Sequence, residues 1–226
     1  MRIGFDLDGV LCEIFPAYAD MFVRTTGRNT FLPGDIPEPP DYNVHRLRGY
    51  TMEEEKQVWK TVGLSSDWWF NLPALPETAQ LKDALHSVLD DHECYFITAR
   101  SGIRVKEQTE DWLRYHLNID HFPTVLIVGH GQKGNVAQAL NLHTYIEDNA
   151  DNALDVVRKS PETKTYLVNR NYNQPEGWNP MPEIVSENAS LVAYHNHCVE
   201  IVNRHRVSSV GEWLRLCNLI PYTVGV

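Results

Sequence analysis

The sequence predicts an α/β protein: a core of parallel strands with helices on both faces, interrupted by a small inserted helical cap. Three observations carry that prediction. Short apolar runs rich in β-branched and aromatic residues alternate with amphipathic stretches. The runs are apolar on both faces, as buried parallel strands are. One interval between two of them far exceeds the roughly 30 residues of a βαβ unit.

The expected strands are Ile3–Phe5, Tyr95–Ile97, Val125–Val128, Tyr145–Ile146 and Tyr166–Val168. Between them, Glu77–Asp90 sets Leu81, Leu85, Val88 and Leu89 on one helical face, and Arg104–Leu117 does the same with Val105, Gln108, Trp112 and Leu113. Gly134–Leu142 and Ala150–Lys159 are shorter helices. Ser209 with Glu212 three residues on is a capping-box pattern, opening a last helix with Val210, Trp213, Leu214 and Cys217 inward. The long interval is the one from Asp6 to Thr98. It holds the Pro/Gly/Asp-rich loop Leu32–Pro40, an acidic helix from Met52 and the aromatic run Trp68-Trp69-Phe70. Residues 14–73 are therefore expected to form the cap, and residues 1–13 with 74–226 the core.

Composition narrows the function classes. The chain has 226 residues and 42% hydrophobic content, enough for a proper core rather than a disordered chain. Its formal charge of −10 argues against a broad duplex-DNA surface, which needs a basic stripe. No apolar stretch approaches the ~20 residues that cross a bilayer. The first residues turn acidic by Asp6, unlike a signal peptide. Cys12, Cys94, Cys198 and Cys217 lie far apart without a CxxC pair, which reads as reduced thiols. The expected setting is the cytoplasm.

Asp6, Thr98, Asp148 and Asn169 follow strand runs, and ligands of open parallel sheets bind beyond the carboxyl ends of the strands. The strongest motif is Phe5-Asp6-Leu7-Asp8-Gly9-Val10. Two carboxylates this close to a strand end repel one another and resist burial. A divalent metal would remove the conflict: Asp6 can then attack a phosphorus atom while its second oxygen binds Mg²⁺, and Asp8 can donate and retrieve a proton. Gly9 permits the sharp turn that presents them. Mg²⁺ takes octahedral oxygen ligands and keeps waters. Asp6, the Asp8 backbone carbonyl and Asp148 would supply three.

Taken together, Asp6 and Asp8, Thr98 in Phe96-Ile97-Thr98-Ala99-Arg100, Lys133 in Gly131-Gln132-Lys133-Gly134, and Asp148 in Tyr145-Ile146-Glu147-Asp148-Asn149 resemble, in the right order, the motifs of the haloacid-dehalogenase (HAD) superfamily phosphatases. The resemblance covers roughly residues 1–13 and 74–170. It implies a Rossmann-like core with a cap in the C1-type position, and Mg²⁺ as cofactor. It makes Asp6 the nucleophile, Asp8 the acid/base, Thr98 and Lys133 the phosphate-holding groups and Asp148 a metal ligand. Physically, the transferring phosphoryl group spreads charge over its equatorial oxygens, so catalysis is largely positioning plus electrostatic stabilisation. Ala99 and Arg100 belong to the expected substrate pocket.

The insertion, the segment Trp68–Pro76 and the runs Ile146–Asn149 and Leu167–Asn173 are similar to the 5′(3′)-deoxyribonucleotidase-like branch, although that branch often carries Thr-Ser-Pro where this chain carries Thr98-Ala99-Arg100. The implied substrate is a small phosphorylated metabolite, a nucleoside monophosphate, with no duplex nucleic acid and no membrane as partner. Members of the family often dimerise, so a homodimer is the implied oligomer. Cap aromatics (Phe31, Tyr42, Tyr50, Trp59, Trp68, Trp69, Phe70) supply faces on which a base stacks at about 1–3 kcal/mol each. Most are expected in the cap's own core, with Trp69 and Phe70 as the ligand-facing candidates. Alternative readings are a phosphatase for another small metabolite, a phosphotransferase and a non-catalytic nucleotide-binding module. His195, His197, Cys198 and His205 match no standard zinc spacing and read as alternating residues on an edge hairpin. Gly129–Gly134 lacks the ending of a P-loop, and Asn188-Ala189-Ser190 is a glycosylation triplet with no meaning in the cytoplasm.

Overall fold

Strand β1 (Arg2–Phe5) runs through the middle of the sheet, flanked by β2 (Glu93–Thr98) and β4 (Thr144–Glu147). Outside them lie β3 (Thr124–Ile127) on one side and β5 (Lys164–Val168) and β6 (Arg206–Val207) on the other. The order is β3-β2-β1-β4-β5-β6 and every neighbouring pair is parallel. A computed structural model provides this description for residues 1–36, 38–120, 122–174, 178 and 189–221, with the side chains of 189–191 left aside.

Both faces of the sheet are covered, which explains the unbroken apolar strands. On one face Ile3, Phe5, Phe96 and Ile146 pack with Leu85, Val88 and Leu89 of α5 (Lys82–Asp91) and with Trp112 and Leu113 of α6 (Val105–Leu117). Trp213 and Leu214 of α10 (Val210–Leu216) complete that face. Trp213 meets Phe5 edge-on at 5.0 Å and donates its indole N–H to Thr144 Oγ1 at 3.0 Å. The other face packs Ile97 and Tyr145 against Ala137 of α7 (Lys133–Leu140) and Val156 of α8 (Ala150–Lys159). A Cβ at Gly4 would lie 2.6 Å from both Leu142 and Tyr145, so the central strand keeps a glycine there.

Caps follow the sequence closely. Ser209 accepts from the Glu212 N–H at the start of α10, and Asn149 accepts from the Asp151 and Asn152 N–H groups at the start of α8. Two expectations are corrected. The helix expected over Glu77–Asp90 is two: α4 (Pro76–Gln80) stops at Leu81 (φ −90°, ψ 4°), where α5 begins. Tertiary contacts fix α4 separately, since Thr78 donates to the Leu11 carbonyl and Glu77 accepts from Arg170. The edge hairpin expected around His195, His197 and Cys198 is a helix, α9 (Ala189–Arg204), which leads through His205 into parallel strand β6. Cys198 and Val202, four residues apart, bury one face of α9 against Ala153, Leu154 and Leu167, and that spacing is helical. Asn188 of the glycosylation triplet lies outside the described residues.

Between β1 and β2 the chain forms α1 (Phe15–Thr26), α2 (Val44–Leu47) and α3 (Met52–Leu64). These helices have a cluster of their own: Tyr18, Phe22, Phe31, Val44, Tyr50 and Val58. A complete capping box at Thr51/Glu54 opens α3, and three glutamates in its first turn complement the helix dipole. The Arg48–Asp35 ion pair ties down the loop before α2. Two paired segments tether this insertion: Glu13 N–H donates to the Pro73 carbonyl and Leu75 N–H to the Leu11 carbonyl, each at 2.9 Å. Trp68, Trp69 and Leu72 already belong to the main core. Among the described residues no helix is long and apolar enough to cross a membrane.

Candidate active site

Four strand ends and one helix start meet beyond the carboxyl edge of the sheet. Asp6 follows β1, its N–H held by the Ile146 carbonyl at 3.0 Å. Gly9 then turns the chain at φ +79°. Lys133, the first residue of α7, is buried and donates its Nζ to Asp6 Oδ1 at 2.6 Å and to Glu147 Oε2 at 2.8 Å. Glu147 ends β4 and is fully enclosed; the Tyr145 hydroxyl and the Asn149 N–H bind its two oxygens. Asp6, Glu147 and Asp148 each bring one carboxylate oxygen within 4.8 Å of the others.

The charges in this cluster are set by burial and by each other. Burial is the largest influence on Asp6 and, with the Glu147 charge, holds its carboxyl well above the ordinary carboxylate range against the pull of Lys133. Burial and Glu147 together push Asp148 up to about 7. Burial works against the Lys133 ammonium, yet the Asp6 and Glu147 charges outweigh it and keep the lysine protonated. For Glu147 the balance reverses: burial raises it, but Lys133 brings it below its usual value. One ammonium cannot keep three carboxyl groups ionised, which is why Asp6 and Asp148 are pushed up; a small divalent cation would restore their charge, and hard oxygen donors at this spacing suit one. The donor set therefore fits Mg²⁺.

Asp8 points to a different partner. Arg100, whose side chain is fully buried, donates Nη2 to Asp8 Oδ1 at 2.8 Å and Nε to Oδ2 at 3.1 Å. The same guanidinium reaches Cys12 Sγ at 2.8 Å and Thr109 Oγ1 at 3.3 Å, and its centre sits 4.9 Å over the Trp69 ring. Burial raises Asp8, but the charge and hydrogen bonds of Arg100 more than offset it, and the carboxylate is held below its ordinary value. Thr98 ends β2, fully buried, with its Oγ1 accepting the Arg100 N–H at 3.3 Å.

A cleft of about 720 Å³ opens above these groups. Asp6, Asp8, Thr98, Ala99, Arg100, Lys133, Asp148 and Trp69 all line it, so the structure brings these expected site residues together and leaves out Phe70 and Asn169. Phe70 is 36% exposed and turns instead to Tyr115, at 6.0 Å between rings. The hydrogen bonds of Trp69 to Gln108 and Ser101 fix the tryptophan inward and leave its neighbour on the outer side. Asn169, expected to converge with the others, bonds Arg206 and is absent from the lining.

From the insertion, Phe15, Tyr18, Tyr42, His45, Glu55 and Trp59 face the same cleft. The Tyr18 hydroxyl and His45 Nε2 are buried and make no hydrogen bond; Glu55 lies 3.7 Å from that nitrogen. Sequence reasoning assigned no role to Arg170, Tyr172 and Asn173. The Tyr172 hydroxyl donates to Asp148 Oδ2 at 2.6 Å, Asn173 donates to the Asp148 carbonyl, and Arg170 donates to the Gly9 carbonyl. Their signal was a dense polar run directly after β5.

With this geometry in hand, known proteins provide a frame. No curated protein matches the chain. Among solved structures, a HAD-family hydrolase from Deinococcus radiodurans with bound phosphate and sodium is similar, with a TM-score of 0.51 and 15% identity over 96% of this chain and 95% of that one. The L-2-haloacid dehalogenase from Xanthobacter autotrophicus gives a TM-score of 0.52 and 15% identity, covering 96% of this chain and 98% of its own. At such identity the similarity establishes the HAD-like fold alone. The family model for the "5′ nucleotidase, deoxy (Pyrimidine), cytosolic type C protein" matches residues 1–174, well over half of the chain and all of the site described above. The chain belongs to this family of HAD-like nucleotidases.

Proposed function

We propose that the protein is a Mg²⁺-dependent phosphomonoesterase that hydrolyses a nucleoside monophosphate through an aspartyl-phosphate. The observation that carries this reading is the Asp6 carboxylate held 2.6 Å from the Lys133 ammonium on the floor of the cleft. A carboxylate so placed attacks phosphorus, and the P–O bond to the leaving alcohol breaks. Lys133 and Thr98 hold the phosphoryl oxygens as charge spreads over them. Asp8 gives a proton to the leaving alkoxide and then takes one from the water that cleaves the Asp6–phosphorus bond. Arg100 favours the ionised form of Asp8, so the free protein is prepared for the second half. The proton for the first half comes from the phosphomonoester itself, whose second pKa is near ~6. Asp6 and Asp148 would hold Mg²⁺, with Glu147 behind them steering Lys133. The bound cation supplies charge neutralisation for the phosphoryl oxygens.

Residues 14–73 act as a cap in this reading, supported by the aromatic cluster of α1–α3 and by the cleft that its residues share with the core. Arg100 serves Asp8 rather than the substrate, since its guanidinium is spent inside the protein. A nucleoside is favoured over a smaller group because Phe15, Tyr42, Trp59 and Trp69 line a cleft far larger than a phosphate needs. The buried Tyr18 hydroxyl and His45 Nε2, which make no hydrogen bond, would meet a base only if the side chains around them shift to admit it. Free cysteines throughout support a reducing, cytoplasmic setting.

Phosphate release from a panel of nucleoside monophosphates and sugar phosphates, with Mg²⁺ and with chelator, tests the reading. Release from nucleotides that chelator stops is expected. Tight nucleotide binding without release would instead favour a binding module, and transfer to added alcohols a phosphotransferase.

A further inference from the structure

Tyr172 joins two parts of the molecule that the proposed reaction treats separately. Its hydroxyl donates to Asp148 Oδ2 at 2.6 Å, while its ring packs 5.1 Å from Phe15 and 5.6 Å from Tyr42, both in the insertion. Phe15 and Tyr42 in turn meet at 6.0 Å, so the three rings form one contact group. The space for the hydroxyl is specific. A Cβ at Gly9 would lie 2.2 Å from Asp148 Oδ2 and 2.5 Å from the Tyr172 hydroxyl, so the glycine that turns the Asp6–Asp8 loop also admits this bond.

The loop carrying Tyr172 is itself anchored on both sides. Asn173 donates to the Asp148 carbonyl at 2.6 Å and to the Val168 carbonyl at 2.8 Å. Arg170 donates to the Gly9 carbonyl at 2.8 Å and to Glu77 at 2.6 Å. Glu38 of the insertion accepts from Arg170 at 3.4 Å and from the Asn171 N–H at 3.3 Å. A donor fixed on one oxygen of a ligating carboxylate sets the direction of the other, and such supports change metal affinity without touching the metal.

We infer that Tyr172 is a positioning residue: its hydroxyl aims the Asp148 carboxylate at the cation, and its ring ties that aim to the seating of the insertion. The inference rests on the reading of Asp148 as a cation ligand. Because coupling between two events is reciprocal, cation binding must then also favour the seated insertion.

The test uses the full chain without substrate. Mn²⁺ uptake is followed by electron paramagnetic resonance, and Mg²⁺ by competition. Hydrogen exchange over residues 14–73 is read with and without the cation, and thermal midpoints control for folding. Tyr172→Phe keeps the ring and loses the donor; it is expected to weaken cation affinity by about 10–100-fold with little change in midpoint. Phe15→Leu keeps the hydroxyl and loses a ring contact; it is expected to blunt the protection that cation gives the insertion. Wild-type affinity in Tyr172→Phe overturns the inference alone. Protection of the insertion that is the same with and without cation overturns the coupling. A wild-type protein that takes up no Mn²⁺, or an Asp148→Asn variant that binds it normally, overturns the reading of the site and the inference with it.

Discussion

At the carboxyl edge of the sheet, the buried polar groups are bonded to one another: Lys133 spans Asp6 and Glu147, Arg100 grips Asp8, and Tyr172 holds Asp148. Across the cleft, the insertion buries Tyr18 and His45 just as deeply and leaves a polar atom on each without a hydrogen bond. The core side is thus pre-set, with its geometry fixed before anything binds. The insertion side mixes aromatic rings with Asn43, Arg46 and Glu55 and keeps unspent hydrogen-bonding capacity, which is what a surface needs if its partner is the substrate. In the proposed function, chemistry falls to the first wall of the cleft and recognition to the second.

The largest expected effect breaks the core wall. Asp6→Asn keeps the shape of the side chain and removes the proposed nucleophile; phosphate release should fall by about 10⁴-fold or more, with circular dichroism unchanged. Residual turnover near wild type would remove Asp6 from the mechanism.

Arg100→Gln comes next and is read in stability as well as rate. It strips the partner from Asp8, whose side chain is 19% exposed, and removes the guanidinium stacked on Trp69. Losing one half of a largely buried pair costs about 3 kcal/mol, measurable by urea denaturation. A variant as stable as wild type would show that the pair contributes nothing net.

Tyr18→Phe sharpens the contrast, because here an unpartnered hydroxyl is removed. Stability should hold or rise slightly. If the hydroxyl reads a base, kcat/KM for the preferred nucleotide should fall about 10-fold, while p-nitrophenyl phosphate is cleaved as before. Equal losses on both substrates would take Tyr18 out of recognition.

pH separates the walls more gently. Burial, working against Glu55, holds His45 below its ordinary value. The unfolded chain therefore takes up this proton first as pH falls through about 6.5, so the stabilising contribution is whole above that pH and declines below it. Thermal midpoints between pH 7.5 and 5 should drop less steeply in His45→Gln than in wild type. Identical slopes would exclude His45 as a source of the decline.

Phe70→Ala should do least. The ring sits outside the cleft against Tyr115, so kcat/KM should stay within about 2-fold of wild type. A larger loss would place Phe70 at the ligand after all.

Much of this was legible from residue order. Each apolar run became a strand because a parallel sheet buried on both faces admits little else, and the residues after those runs had to emerge at one edge. Asp6, Thr98 and Asp148 were found that way, and all three line one cleft. The local cap at Ser209 depends on a neighbour three residues away, so it too could be read directly.

What sequence could not decide was direction. Trp69 and Phe70 are adjacent and chemically alike, yet only the first faces the cleft, because Gln108 and Ser101 from another part of the chain hold it there. Arg100 was expected in the substrate pocket; the cavity beside Asp8, Cys12 and Trp69 took its guanidinium inward. Alternation at His195 and His197 suggested a hairpin until α8 and Leu167 offered a helical face for Cys198 and Val202. A strand's exit point follows from covalent order and the pleat, whereas the aim of a long side chain is set by partners that only folding brings near.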